Sequence, residues 1–146
     1  MTAVALLLWS FCSGKNKKRY LVFEAEEGEI CLELEIAENE EFSIEFIHSV
    51  NQSPVIDFYE ARSDGIYVTK TIYYAFGAGV QSALEEGQEL SYTEDGAMMV
   101  SGFNRKIDKL SYLVGKVSDH LLHIGGKEHS LGDACGRGRL INIYIR

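Results

Sequence analysis

The sequence predicts a single all-β domain, an antiparallel β-sandwich or barrel of about nine to eleven strands. Three observations predict it. From Tyr20 onward apolar residues recur mostly at every second position, the period of a strand with one face in the core. Turn signals containing glycine, Ser63-Asp64-Gly65, Asp95-Gly96 and Gly125-Gly126, separate these runs as hairpin loops do. Apolar residues nowhere keep a helical spacing over three turns, and Pro54 is the single proline.

The elements follow in order. In 29–36, Ile30, Leu32, Leu34 and Ile36 alternate with Glu29, Cys31, Glu33 and Glu35, which assigns the first set to the core and the second to water. In 42–50, Phe42, Ile44, Phe46, His48 and Val50 share a face. Asn51 to Pro54 reads as a turn, and the extended pattern resumes over 55–61. After Ser63-Asp64-Gly65, the run 66–75 is rich in Ile, Tyr, Thr and Val, which suit a pleated surface. Phe76-Gly77-Ala78-Gly79-Val80 interrupts it, and 81–86 has room for one helical turn. The runs 88–94 and 97–103 form a hairpin around Asp95-Gly96; 109–117 is a further strand. The runs 119–124 and 127–131 pair around Gly125-Gly126, and 139–145 closes the domain. No internal repeat or linker divides 20–146, which is therefore one all-β domain behind an apolar and basic segment at 1–19.

A chain of 146 residues, 46% apolar, with 8 Tyr and 7 Phe, can close a core without metal or cross-link. The formal charge of −8 argues against a nucleic-acid partner, because binding to the phosphate backbone relies on clustered Lys and Arg. The acids at 24–45 and 85–94 read as a solvated face, since no calcium-loop spacing is present. The three cysteines, Cys12, Cys31 and Cys135, contain no Cys-x-x-Cys pair. A Cys31–Cys135 disulfide in an oxidising compartment and two free buried thiols are both open. The apolar run from Ala3 to Phe11 has the length of a signal-peptide core, about 7–15 residues, and half that of a spanning helix. No Lys or Arg precedes it, and Lys15, Lys17, Lys18 and Arg19 follow. Three readings stay open for this segment: an export or anchor sequence, an interfacial anchor, or a first element of the domain.

Polar groups concentrate in 46–60, where His48, Ser49, Pro54, Asp57, Tyr59 and Glu60 lie between two strands. His48, Ser49 and an acid are the components of a nucleophilic triad, but neighbouring strand residues face opposite ways, so Ser49 is badly placed to bond His48. The plainer reading is an inward histidine bracing the Pro54 turn. The sharper one is a ligand pocket of His48, Asp57 and nearby tyrosines. His120, His123 and His129 invite a zinc reading. Pairing across Gly125-Gly126 sets His123 opposite Glu128 and turns His120 and His129 to the other face. No metal site and no cofactor is expected. The Phe76–Val80 loop lacks the Lys-Ser/Thr ending of a P-loop, though its glycines leave a backbone anion site open.

Three segments together resemble the family called domain of unknown function 1850. They are His48-Ser49-Val50 with Pro54-Val55, Asp57 and Tyr59; Phe76-Gly77-Ala78-Gly79; and His120, Leu122, Gly125, Gly126, Leu131, Gly138 and Arg139. The likeness runs from about Tyr20 to the last residue. It implies a small bacterial domain that is exported or membrane-anchored in the cell envelope. It also implies association with tripartite ATP-independent periplasmic (TRAP) transporters of the type using a TRAP-associated extracytoplasmic immunogenic (TAXI) solute receptor. The chain departs from the pattern in its short N-terminal apolar run, and in Val80 and Gln81 where a proline usually follows Gly-Ala-Gly. The expectation is a non-enzymatic accessory or ligand-binding domain outside the cytosol. Its recognition surface would comprise His48, Ser49, Pro54, Asp57, Tyr59, Phe76, Gly77 and Gly79. Its partners would be transporter subunits, a small molecule of unknown class, and the membrane through the N-terminal segment. The alternatives are a small enzyme with His48 as base and Asp57 or Glu60 orienting it, and a purely structural interaction domain.

Overall fold

Alternating residues build two antiparallel sheets packed face to face as a sandwich. The computed structural model describes residues 18–75, 77 and 83–146. The elements are β1 (Tyr20–Ala25), β2 (Ile30–Glu35), β3 (Glu40–Ile47), β4 (Pro54–Arg62), β5 (Gly65–Tyr73), β6 (Glu89–Tyr92), β7 (Met98–Ile107), β8 (Leu110–Leu113), β9 (His120–Ile124), β10 (Lys127–Ser130), α1 (Leu131–Cys135) and β11 (Leu140–Ile145). One sheet has the order β2-β1-β11-β8, the other β10-β9-β3-β4-β5-β7-β6. The fold class is the one the alternation predicts. None of the described helices is long and apolar enough to cross a membrane.

The core lies between the sheets. Leu21, Phe23, Ile141 and Ile143 come from the smaller sheet; Phe42, Ile44, Tyr59, Ile66, Val68 and Leu122 come from the larger. Fully burying one such aliphatic or aromatic side chain is worth about 1.5–3 kcal/mol, which is what the two-residue period secures. The hairpin at Gly125-Gly126 has the expected register, with Lys127 opposite Ile124 and Glu128 opposite His123.

Four details depart from simple alternation. Glu24 pairs with Ile30 whereas Phe23 pairs with Leu32, so Cys31 is the extra residue of a β-bulge. The bulge leaves Ile30 43% exposed, not in the core with Leu32 and Ile36. It leaves Cys31 joined to Cys135 in a disulfide, with Cα atoms 5.0 Å apart and a sequence separation of 104. β3 stops at Ile47, so His48 and Val50 leave the strand, and Val50 is 66% exposed instead of sharing the inward face. Leu131 opens the short helix α1 in place of ending a strand: the Ser130 hydroxyl accepts from the Asp133 N–H at 2.9 Å and caps it. Of the proposed turn at 81–86, residues 81 and 82 lie outside the described residues, and 83–86 are not helical.

The register gives the sandwich two distinct ends. The β3–β4 turn (48–53), the chain leaving β5 at Tyr74, the β6–β7 turn (93–97) and the β8–β9 loop (114–119) lie at one end, called the motif end below. The turns at 63–64, 108–109 and 125–126 lie at the other.

Candidate functional site

The motif end is built on a tight turn. The His48 N–H donates to Ser53 O and the Gln52 N–H donates to His48 O, both at 2.9 Å. The His48 ring closes the turn from the side: Nδ1 accepts from the Val50 N–H at 3.3 Å and the Asn51 N–H at 3.4 Å. A nitrogen that accepts two N–H groups carries no proton, so the proton sits on Nε2. Ser49 is exposed in this turn. Pro54 opens β4 opposite Ile47, and its carbonyl accepts the Tyr74 N–H at 3.2 Å, which ties the chain leaving β5 to the turn. Gly77 then meets the turn directly: a Cβ there would lie 2.2 Å from Asn51 Oδ1. Only a glycine allows that approach. Gly77 of the glycine loop thus meets the proline turn. Phe76 and Gly79 lie outside the described residues.

Behind the turn, Asp57 faces into the sandwich. Its Oδ1 accepts from Thr71 Oγ1 at 2.8 Å and its Oδ2 from Tyr112 Oη at 2.8 Å. Tyr112 Oη is also 2.6 Å from Tyr59 Oη. Tyr112 belongs to the smaller sheet and the other three to the larger, so this network pins the sheets together with hydrogen bonds. A bulge makes it possible. Tyr59 pairs with Val68 and Phe58 with Lys70, leaving Thr69 extra. On β5 the inward set shifts from Ile66 and Val68 to Thr71, which is buried and sits opposite Asp57. Burial, reinforced by the Asp57 charge, pushes the Tyr59 and Tyr73 phenols up; burial with Tyr59 and Asp57 beside it pushes Tyr112 up strongly. All three remain protonated donors near neutrality.

An aromatic wall adjoins this network. Phe46 stacks on His120 at 5.3 Å, and Tyr112 meets both rings edge-on at 5.8 and 5.6 Å. Burial lowers the His120 pKa against the opposing pull of Asp119, and its Nδ1 accepts the Gly115 N–H at 3.2 Å, so the ring is neutral. Asp119 is held by the Ser130 hydroxyl and by the Gly132 and His120 N–H groups. Burial would raise its pKa; these donors outweigh burial and hold it low.

The sequence candidates separate accordingly. His48 and Asp57 do not bond each other: the histidine ring caps its own turn, and both carboxylate oxygens of Asp57 are taken by Thr71 and Tyr112. Glu60 pairs with Arg62 at 3.0 Å on the opposite face of β4 from Asp57. Tyr59 is buried in the network and stacks on Phe42 at 5.3 Å. His123 is flanked by Glu45 at 3.3 Å and Glu128 at 3.9 Å on the outer face. Among the described residues no three His, Cys, Asp or Glu side chains are arranged to hold a metal ion. Thr71, Tyr73 and Tyr112 escaped the sequence reading. Only a bulge reveals which face Thr71 takes, and nothing local marks Tyr112.

A family model described as "Domain of unknown function (DUF1850)" matches residues 42–131, from the first buried ring of β3 to the start of α1. The chain belongs to the DUF1850 family. Its matched region contains every residue of the Asp57 network. No curated protein and no solved structure matches the chain.

Proposed function

We propose that this DUF1850 protein is a non-enzymatic accessory or ligand-binding domain that works outside the cytosol with a TRAP-type solute transporter of the TAXI kind. Its motif end is the recognition surface. The observation that carries this reading is the meeting of Gly77 with Asn51, which makes one surface of two motif segments separated in sequence. The Asp57–Thr71–Tyr112–Tyr59 network holds that surface from behind, and a preorganised surface loses less entropy on binding. The Cys31–Cys135 disulfide accords with an oxidising compartment. The transporter association comes from the family likeness and is an argument by association.

One observation favours a second reading, a purely structural domain: the His48 ring is used to close its own turn. One experiment separates the two. The full chain, tagged and expressed beside the transporter subunits, is purified under mild conditions. The first reading expects a transporter subunit to co-purify, and Gly77→Val and His48→Ala to abolish this while the circular dichroism spectrum stays that of a folded sandwich. If the wild-type chain never carries a transporter subunit with it, the transporter role is wrong.

A further inference from the structure

We propose that the motif end is released by acid: the neutral rings of His48 and His120 hold the 48–53 turn and the 114–119 loop by accepting backbone N–H groups, and a second proton on either ring frees its loop. This rests on the reading of the motif end as a recognition surface and adds its regulation. Both rings work in the same way. His48 Nδ1 accepts from the Val50 and Asn51 N–H groups, and His120 Nδ1 accepts from the Gly115 N–H at 3.2 Å. Nδ1 is then the one nitrogen left to take a proton, and taking it turns an acceptor into a donor aimed at other donors.

The 114–119 loop is anchored at its two ends. Val114 donates its N–H to Arg139 O and accepts from the Gly138 N–H, and Asp119 is held by Ser130, Gly132 and His120. Between these anchors the described bonds are Gly115 N–H to His120 Nδ1 and the Arg137 guanidinium to Val117 O at 3.5 Å. The loop is tightly wound where the ring holds it, since a Cβ at Gly115 would collide with Ser118 O. A charged His120 is unfit for its buried place against Phe46, so it must turn toward water and leave Gly115 without an acceptor. In the other turn, Val50 and Asn51 lose the His48 ring, whereas the His48–Ser53 and Gln52–His48 backbone bonds stay. The tip therefore loosens without the strands parting, and the loosening reaches Asn51, the residue that Gly77 meets.

The surrounding groups give the direction. Asp119 beside His120 favours the charged ring, but burial outweighs it and lowers the pKa. From β8 the ring meets Tyr112, a protonated donor to Asp57, and from β3 it meets the uncharged Phe46. Lys116 on the loop and Arg137, 3.7 Å from Asp119, oppose a further positive charge. The elements adjoining His48 carry the Tyr74 phenol and the two acids that act on it, Asp95 and Glu45. Among the described residues no charged side chain pairs with the His48 ring itself. His120 is neutral in the fold with its pKa held below the ordinary histidine value of about 6.5. Its contribution is complete above that value and is lost as pH falls from there toward the folded value.

The test follows ring and amide resonances of the isotope-labelled full chain from about pH 8 to about pH 4.5, which spans the histidine range. The Val50 and Asn51 amides should move with the His48 ring, and the Gly115 amide with the His120 ring. Their protection, corrected for the intrinsic pH dependence of exchange, should fall about fivefold, the worth of one hydrogen bond. Asparagine sets a carbonyl oxygen where Nδ1 stood and does not titrate. His48→Asn should therefore abolish the transition in 49–52 and keep the one at Gly115, and His120→Asn should do the reverse. His48→Asn suffices alone if the other variant does not fold. Rings that take up a proton while these amides stay fixed would overturn the proposal, as would transitions that survive the asparagine variants. So would one transition of all amides with loss of the circular dichroism spectrum, which is global unfolding. Transporter co-purification should weaken between about pH 7.5 and about pH 5, and equal capture at both would overturn the regulation. Titrating amides without capture at any pH leave the device and remove the transporter. Capture with fixed amides does the reverse.

Discussion

The two ends of this sandwich are built from the same strands and finished in opposite ways. The end with the turns at 63–64, 108–109 and 125–126 has Ser-Asp, Asp-Lys and Gly-Gly at its tips. It is laced by exposed ion pairs: Lys106 with Asp64 at 3.0 Å, Lys18 with Glu35 at 2.9 Å and Arg146 with Glu33 at 2.8 Å. The motif end has the Asp57 network beneath it and leaves Val50, Tyr92 and Val117 exposed among polar turns with their own ion pairs, Arg137 with Asp119 and Arg139 with Glu27. The first end is finished for water. The second sets exposed apolar residues above a buried hydrogen-bond network, the arrangement that the proposed recognition surface would use.

The comparison can be broken most severely at the disulfide. It closes a loop with a sequence separation of 104 and ties the edge strand β2 to α1. Reduction should cost about 3–5 kcal/mol of stability in the chain-entropy account, read from urea midpoints with and without reductant. A shift as small as that from removing one surface ion pair would mean that the packing of β2 carries that edge alone.

Next comes Tyr112→Phe, which keeps the ring and removes the hydroxyl shared by Asp57 and Tyr59. Two buried partners are then short of a bond, at a cost of about 1–3 kcal/mol. The same variant sharpens a pH dependence. The Tyr59, Tyr73 and Tyr112 phenols are raised by burial in the folded protein. Their contribution is complete below the unfolded phenol value of about 10 and is lost as pH rises from there toward the folded values. Denaturation at pH 10–11 should therefore be steeper in the wild type than in Tyr112→Phe. Parallel alkaline curves would show that the network phenols do not govern it.

These two effects differ in how far the residues announced them. Cys31 and Cys135 could be named from the sequence, but a disulfide and free thiols were both open, because the bulge that takes Cys31 out of the strand ladder is invisible to a period-two pattern. Most strands and the Gly125-Gly126 register were legible, since alternation and turn residues act locally. The Asp57 network was half legible. Asp57 and Tyr59 stood in a polar cluster between strands. Thr71 reaches Asp57 only because Thr69 is extra, and Tyr112 reaches it only across the gap between sheets. Alternation carried one step past Ile47 predicts an inward His48, whereas β3 ends at Ile47 and the ring closes its own turn.

Gly77→Val has a smaller and local effect. Its branched side chain collides with the Asn51 side chain, so Asn51 must swing aside or the loop and the turn must separate. Global stability should fall by under about 1 kcal/mol, because Gly77 is exposed, whereas amide exchange in 48–53 should quicken. Unchanged exchange there would mean that the loop does not brace the turn. The smallest effect belongs to the other end. Lys106→Ala removes a pair open to solvent and should leave the urea midpoint where it was.

The central claim is that partners meet this domain at the motif end. Hydrogen exchange of the full chain, alone and with its co-purified transporter subunit, tests it most directly. Slowed exchange confined to 48–54, 74–77 and 92–97 is the predicted result. Slowed exchange at 63–65, 106–109 and 125–127, with the motif end unchanged, would contradict it.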